Sequence, residues 1–317
     1  MMTAATNSAG PREAAAAIDA VLVVDKPIGP TSFDVVRRVR RAARMKRVGH
    51  GGTLDPAASG VLPICLGEAT KVSQFLLDAD KEYAFTACFG VETDTDDAAG
   101  TITARRDAAA VVEADVRRAM AAFRGPIAQV PPSYSALKRA GRPLYAYARA
   151  GEAVEIAARN VVVHELEMTS FAGPDAVAFT MRCSKGTYVR ALARDLGRAL
   201  GVGAHVTALR RTRSGPFSLV EARPLDEVLA ALADGASALP LVQPAAALRH
   251  LEQRVVPDQV AVDVRLGRRI VLEVGEGQTG KDAADRRVCL LDGRGKLVAV
   301  AQQRPDRTVE LLRVFRS

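Results

Sequence analysis

The chain has 317 residues, 48% of them hydrophobic and 25% charged, with a net charge of +8. That length predicts one large domain and a smaller one, on a prior of about 150 residues per domain. No apolar run approaches the ~20 residues of a membrane-spanning helix, and neither the four scattered cysteines (Cys65, Cys88, Cys183, Cys289) nor the four histidines show the spacing of a zinc ribbon, a redox pair or any other metal site.

The first stretch, Met1 to Ala17, is rich in Ala and small polar residues. It lacks a basic n-region and a compact apolar h-region, so it reads as a disordered tail and not as a signal peptide. Separated cysteines without a partner fit reduced thiols in a cytoplasmic protein. Val21 to Val24 reads as a short buried strand that ends in the turn Lys26-Pro27-Ile28-Gly29-Pro30. Thr31 or Ser32 then caps a helix running through about Arg44, with Val35, Val36, Val39, Ala42 and Ala43 on its apolar side. Its other side is basic: Arg37, Arg38, Arg40, Arg41, Arg44, Lys46 and Arg47 follow one another with no acid between them. Such a run is either a solvated helix face or a polyanion contact, and repulsion along the helix favours the second. Arg210, Arg211 and Arg213 form a second basic cluster, read the same way.

The helix delivers the chain into Gly49-His50-Gly51-Gly52-Thr53-Leu54-Asp55-Pro56, one carboxylate inside a run of small, turn-forming residues. Loops that hold a single reactive side chain have this composition; the alternative is an Asx-turn in which Asp55 caps its own backbone. Lys71 to Leu77 looks helical, and Tyr83, Phe85, Ala87 and Phe89 mark one face of a strand. The Glu92–Gly100 stretch lacks the glycine and glutamate of a calcium loop and reads as an acidic turn. Val112, Val116, Met120 and Phe123 mark a helix closed by Gly125. From Gln129 to Glu152 the chain carries Lys138, Arg139, Arg142 and Arg149 among three of its five tyrosines, with no acid before Glu152. Cations interleaved with aromatics suit phosphates and exposed bases, and a crossover loop with packed tyrosines is the alternative.

Val161 to Met168 and Val177 to Cys183 read as strands, and a helix follows through Leu200. Strands and helices mix without βαβ alternation, which predicts an α+β fold: a mixed, mainly antiparallel sheet flanked by helices. The Pro/Ala-rich stretch from Ala238 to Ala247 reads as a linker, and the short strands beyond it as a small β-barrel. Gly275-Glu276-Gly277-Gln278-Thr279-Gly280 matches a dinucleotide fingerprint only in its letters; without a βαβ context it reads as a hairpin loop.

Eight short blocks occur in order between about Val21 and Phe217: Lys26-Pro27-x-Gly29-x-Thr31-Ser32, the Gly-x-x-Gly-Thr-Leu-Asp-Pro block from Gly49, Gly67-Glu68-Ala69-Thr70-Lys71, Lys81-Glu82-Tyr83, Thr93-Asp94-Thr95-x-Asp97, Pro131-Pro132-x-Tyr134-Ser135-Ala136-Leu137-Lys138, Gly186-Thr187-Tyr188-Val189-Arg190 and Leu209-Arg210-Arg211-Thr212. In them the chain resembles the bacterial tRNA pseudouridine-55 synthase family; Gly51 stands where many members carry Thr. The resemblance implies a pseudouridine synthase fold over residues 18–245, with an RNA-binding insertion at 128–152 and a PUA-like RNA-binding β-barrel over 246–317. It implies isomerisation of uridine 55 in the T arm of tRNA, with no cofactor and no metal. Asp55, Arg190 and Tyr83 are then the catalytic set: Asp55 is the nucleophile, Arg190 its ion-pair partner, and Tyr83 stacks on uracil and takes the C5 proton late in the reaction. His50 packs where the flipped base leaves the loop, Tyr188 and Leu209 line the uracil pocket, and Lys26 joins the substrate-binding set. The partner is tRNA alone, bound by a cytoplasmic monomer without membrane, guide RNA or protein partner. The guide-RNA-dependent relatives share the Thr-Leu-Asp motif but carry Lys-rich tails absent here. Two other readings compete: a non-catalytic tRNA-binding or RNA chaperone module, and a glycosidase pairing Asp55 with Glu68, which the lack of any Trp as a sugar platform disfavours.

Overall fold

The computed structural model describes residues 18–268, 270–271, 286–304 and 309–315. The tail over 1–17 and the hairpin loop at Gly275–Gly280 lie outside these residues.

In chain order, β1 (Ala20–Lys26) leads into α1 (Ser32–Ala42), then β2 (Val48–His50), β3 (Ala58–Leu66), α2 (Ser73–Asp78), β4 (Lys81–Phe89), β5 (Val91–Thr93) and β6 (Ile102–Arg105). There follow α3 (Glu113–Met120), β7 (Gly125–Gln129), β8 (Lys138–Arg139), β9 (Arg142–Pro143), α4 (Leu144–Arg149), β10 (Arg159–Phe171), β11 (Val177–Cys183) and α5 (Val189–Ala199). The last part holds β12 (Ala204–Ser214), β13 (Phe217–Ser218), β14 (Arg223–Pro224), α6 (Leu225–Ala233), α7 (Pro244–Ala247), β15 (Glu252–Val255), α8 (Asp258–Arg265), β16 (Arg287–Leu291), β17 (Leu297–Gln303) and β18 (Val309–Val314).

The main sheet runs β14-β1-β3-β12-β4-β11-β10-β7, with β2 on β3 and β13 on β12. It is antiparallel except where β14 joins β1 and β12 joins β3. The mixed, mainly antiparallel sheet expected from the irregular order of elements is present. In β1 the period-2 geometry of a strand divides the apolar run between two cores. Leu22 and Val24 pack with α1 and α6, while Val21 and Val23 face Phe75, Leu76 and the C-terminal sheet. A third core, under α3 and α5, is centred on the stacked Phe85 and Phe179 rings, 5.0 Å apart.

Helix α1 begins where its capping chemistry dictates. Asp34 N donates to Thr31 Oγ1, and Thr31 N donates back to the Asp34 carboxylate, satisfying two orphan donors reciprocally. Ser32, the other candidate cap, is buried instead and ties α1 to the Asp55 loop. Its hydroxyl accepts from Leu54 N at 2.8 Å and donates to Leu54 O at 3.1 Å.

Two expectations change. The C-terminal unit is not a closed barrel. Among the described residues it is an open sheet in the order β15-β16-β17-β18, with α8 packed on it. Closure needs strands whose edges meet; here one face is sealed by α8 and the other by Phe75 and Leu76 of the main body. The Ala238–Ala247 stretch is also tied down and does not hang free. Val21 and Val242 exchange backbone hydrogen bonds of 2.7 and 2.8 Å, and Ala247 is buried. Small apolar residues that look like a linker in sequence also fit flat against a sheet edge.

Candidate active site

The site forms where β3 and β12 run parallel. Leu209 pairs with Ala58 and Arg211 with Gly60, so the loop entering β3 comes beside the middle of β12. Gly60 makes that approach possible: with φ at +108°, any Cβ there would lie 2.2 Å from the Arg211 carbonyl oxygen. A cavity of about 300 Å³ opens at this junction, walled by Asp55, Tyr83, Leu137, Tyr188, Arg190 and Leu209.

Asp55 keeps 35% of its side chain exposed toward the cavity, and Arg190 Nε stands 2.9 Å from its Oδ2. That nitrogen makes no hydrogen bond in line with its N–H, so the contact is an ion pair held by charge. It is not the bidentate fork a guanidinium often makes with a carboxylate. The two outer nitrogens are engaged elsewhere: Nη1 donates to Thr95 O at 2.6 Å and Nη2 to Tyr134 O at 2.9 Å. Asp97 Oδ2 lies 3.5 Å from Nη1 and supplies a second counter-charge. With only 4% exposure, Arg190 cannot swing away from Asp55. Its place in the first turn of α5 opposes the helix dipole, and the two carboxylates and two carbonyls offset that. The acidic turn read from sequence is therefore the bed of this arginine. Asp97 is itself fixed, accepting from Thr95 Oγ1 at 2.7 Å and Ala99 N at 3.0 Å.

Tyr83 lies on β4 opposite Arg211 of β12. Burial pushes its phenol up to about 12, although the Arg211 guanidinium beside it pulls the other way. The phenol stays protonated near neutral pH and presents a neutral ring to the cavity. Tyr188 precedes α5, and its backbone is clamped by the Gln129 side chain, which accepts from Tyr188 N at 2.8 Å and donates to Tyr188 O at 3.1 Å. Burial also raises the Tyr188 phenol. Leu209 supplies an apolar wall.

Asp55, Tyr83, Arg190, Tyr188 and Leu209 thus meet around one cavity. His50 and Lys26 do not line it. His50 ends β2, and its Nδ1 accepts from Gly52 N at 3.3 Å; burial, with Arg211 adding to the effect, lowers its pKa and favours the neutral ring. Lys26 is fully buried, and its ammonium donates to Pro27 O at 2.8 Å and Pro30 O at 2.9 Å. Burial pulls its pKa down to about 8. The structure gives it a holding role in the turn; no face of it is open to a ligand.

Arg211 corrects the reading of the second basic cluster. It is 1% exposed, and its guanidinium donates to Val61 O at 2.8 Å, Thr53 O at 3.1 Å and Gly52 O at 3.1 Å. It braces the backbone of the Asp55 loop from below and meets no solvent anion. Arg210 and Arg213 point outward, paired with Asp25 at 2.6 Å and Glu82 at 3.2 Å. Strand alternation was the signal for Arg210 and Arg211, neighbours that must take opposite faces; Arg213 leaves the face of Arg211 through the register shift between them in β12. Lys81 was also passed over in sequence. Buried in the cavity wall, it closes the end of α2 by donating to Leu76 O, Leu77 O and Ala79 O.

The segment 129–152 carries the β8–β9 hairpin and α4, and its Ala136 and Leu137 line one side of the cavity. The Arg142 guanidinium covers the Tyr147 ring at 4.3 Å and pairs with Glu152 at 2.9 Å, while Tyr145 remains exposed. Helix α1 presents Arg37, Arg38, Arg40 and Arg41 to solvent. No helix among the described residues is long and apolar enough to cross a membrane.

Comparison with known proteins places the chain in a family. Residues 40–189 match the TruB family pseudouridylate synthase (N terminal domain), and 190–256 the tRNA pseudouridylate synthase B C-terminal domain. A tRNA pseudouridine synthase B from Thiobacillus denitrificans is 45% identical over 295 residues, covering 92% of this chain and 95% of that protein. Its counterpart from Burkholderia mallei is 55% identical over 229 residues, 72% and 73% of the two chains. Among solved structures, a chain of a Cbf5-Nop10-Gar1 complex superposes with a TM-score of 0.72 at 28% identity, over 94% of this chain and 85% of that one. A chain of an H/ACA RNP bound to a substrate RNA containing 2'-deoxyuridine gives 0.71 at 26% identity, over 94% and 86%. With both family models matched in succession and one relative 45% identical over 92% of this chain, the chain belongs to the TruB family of tRNA pseudouridine synthases, isomerases that act on tRNA.

Proposed function

We propose that the enzyme converts uridine 55 of the tRNA T arm to pseudouridine, with Asp55 as the nucleophile on a flipped-out uridine. The reaction breaks the N1–C1′ bond, turns the freed uracil and joins C5 to C1′; N1 gains a proton and C5 loses one, so no atoms are exchanged with a cofactor. The observation that carries the reading is the lone carboxylate in a cavity, with a buried guanidinium against one of its oxygens. A carboxylate so placed acts covalently, and the preorganised positive charge needs no rearrangement as the reaction proceeds. Tyr83 stacks on the uracil as a neutral phenol, and Tyr188 and Leu209 close the pocket.

A base inside the T arm must first be unstacked and extruded, at a cost of about a few kcal/mol recovered in the pocket and along the backbone. The exposed arginines of α1, the 129–152 segment and the C-terminal sheet are the phosphate-binding surfaces in this reading. The enzyme works as a cytoplasmic monomer without guide RNA. Its 45–55% identical relatives are named for tRNA, and the neighbours drawn from multi-protein RNA complexes stand at 26–28%.

The test uses an unmodified T-arm transcript, EDTA and no guide RNA, followed by pseudouridine mapping. Wild type converts the target; Asp55→Asn binds the RNA with unchanged affinity and converts none. A mutant that turns over normally removes Asp55 from the chemistry, and a wild type that binds without converting supports the RNA chaperone reading.

A further inference from the structure

Two large apolar side chains stand in solvent at the entrance to α1: Ile28 is 68% exposed and Phe33 64%. Neither is displayed by a loose segment. The turn carrying Ile28 is pinned by the Lys26 ammonium on Pro27 O and Pro30 O, and Gly29 N donates to Pro56 O at 2.8 Å. Phe33 follows Ser32, whose hydroxyl holds both backbone groups of Leu54, and it lies inside the Thr31–Asp34 capping box. Both residues are therefore anchored to the backbone on either side of Asp55.

The face that Phe33 begins is basic. Residues 33, 37, 40 and 41 follow the i, i+4, i+7, i+8 spacing of one helix side, placing Phe33 at the catalytic-loop end of a row formed by Arg37, Arg40 and Arg41, all exposed. Arg37 has Asp34 at 2.8 Å, but no acid stands within ion-pair distance of Arg38 or Arg41 among the described residues. An apolar protein partner would leave that charge unanswered. An RNA answers both features, since phosphates meet the guanidiniums and a base, which always has a π-face, meets the ring. The rigid mounting keeps the ordering cost low.

We propose that Phe33, flanked by Ile28, is a stacking platform for an unpaired base of the substrate RNA beside the extruded uridine. The assignment rests on the RNA-modifying reading above and adds to it a base contact outside the uracil pocket.

The chain contains no Trp, so Phe33→Trp creates a single indole reporter. Its emission is expected to be quenched by the T-arm RNA and not by heparin, a polyanion that engages the arginines but carries no bases. Phe33→Ala is expected to weaken RNA binding by roughly 5- to 100-fold, the range for losing one stacked base. Its dependence on salt stays as in wild type, because no counterion is released by an apolar contact. Thermal unfolding of both variants matches wild type, as the side chain is exposed. Absence of quenching by RNA, equal quenching by RNA and heparin, or unchanged affinity of Phe33→Ala each overturns the proposal. Binding is read in the Asp55→Asn background and conversion with Asp55 intact. A wild type that fails to convert while Phe33→Trp is still quenched counts against the catalytic reading alone, and normal wild-type conversion without quenching of Phe33→Trp counts against Phe33 alone.

Discussion

Two sets of arginines divide this protein. Arg190, Arg194 and Arg211 are buried: Arg190 holds Asp55, Asp97, Thr95 O and Tyr134 O, Arg194 in the next turn of α5 holds Asp96, Asp195 and Val130 O, and Arg211 holds Gly52 O, Thr53 O and Val61 O. The arginines of α1 are exposed, and Arg38 and Arg41 stand without an acid in ion-pair distance among the described residues. The residue type is the same and the consequence opposite. A buried guanidinium held by fixed carbonyls and carboxylates becomes part of the frame that aims a carboxylate. An exposed one is a mobile charge whose value appears only when a polyanion arrives.

Substitution separates the two sets. The largest effect belongs to Arg211→Met, which removes the Arg211 donors from two carbonyls of the Asp55 loop, Gly52 O and Thr53 O, and from Val61 O of β3. It is expected to cost about 3–5 kcal/mol in urea unfolding, the scale of stranding buried polar groups. A variant as stable as wild type would mean the loop is held by other contacts. Next comes Arg190→Lys. The ammonium keeps the charge but cannot reach Asp55, Thr95 O and Tyr134 O together, so single-turnover conversion is expected to fall about 100-fold, the penalty for a small misplacement. RNA affinity changes little, and a parallel loss of affinity would move Arg190 to the RNA-binding set. The smallest effect on the protein itself comes from the double substitution Arg38→Ala and Arg41→Ala. Stability stays within about 0.5 kcal/mol, while the slope of log affinity against log salt becomes shallower by about 1.4–1.8. An unchanged slope would make these side chains a solvated face and nothing more.

The site was legible in sequence to an uneven degree. Asp55, Tyr83, Arg190, Tyr188 and Leu209 sit in compact blocks whose spacing survives folding, and they converge on one cavity. His50 and Lys26 sit in equally compact blocks, yet His50 turns back onto Gly52 and Lys26 onto Pro27 and Pro30. A motif names a residue and leaves its direction open. Arg211 failed for a related reason: three arginines within four positions looked like one patch, and β12 sends the middle one into the core. The role of Asp97 depends on a partner 93 positions away, Arg190, which no local pattern connects.

From the chain alone follow the covered apolar strands, the capped basic helix, the mixed α+β order and the small-residue loop around one acid, because periodicity, capping and turn chemistry act over a few residues. Folding in three dimensions decided which cations point inward, that the C-terminal sheet stays open and packs on the body, and that one guanidinium holds both Asp55 and Asp97. Those outcomes depend on contacts between segments far apart in sequence, where burial and competition for hydrogen-bond partners outweigh local preference.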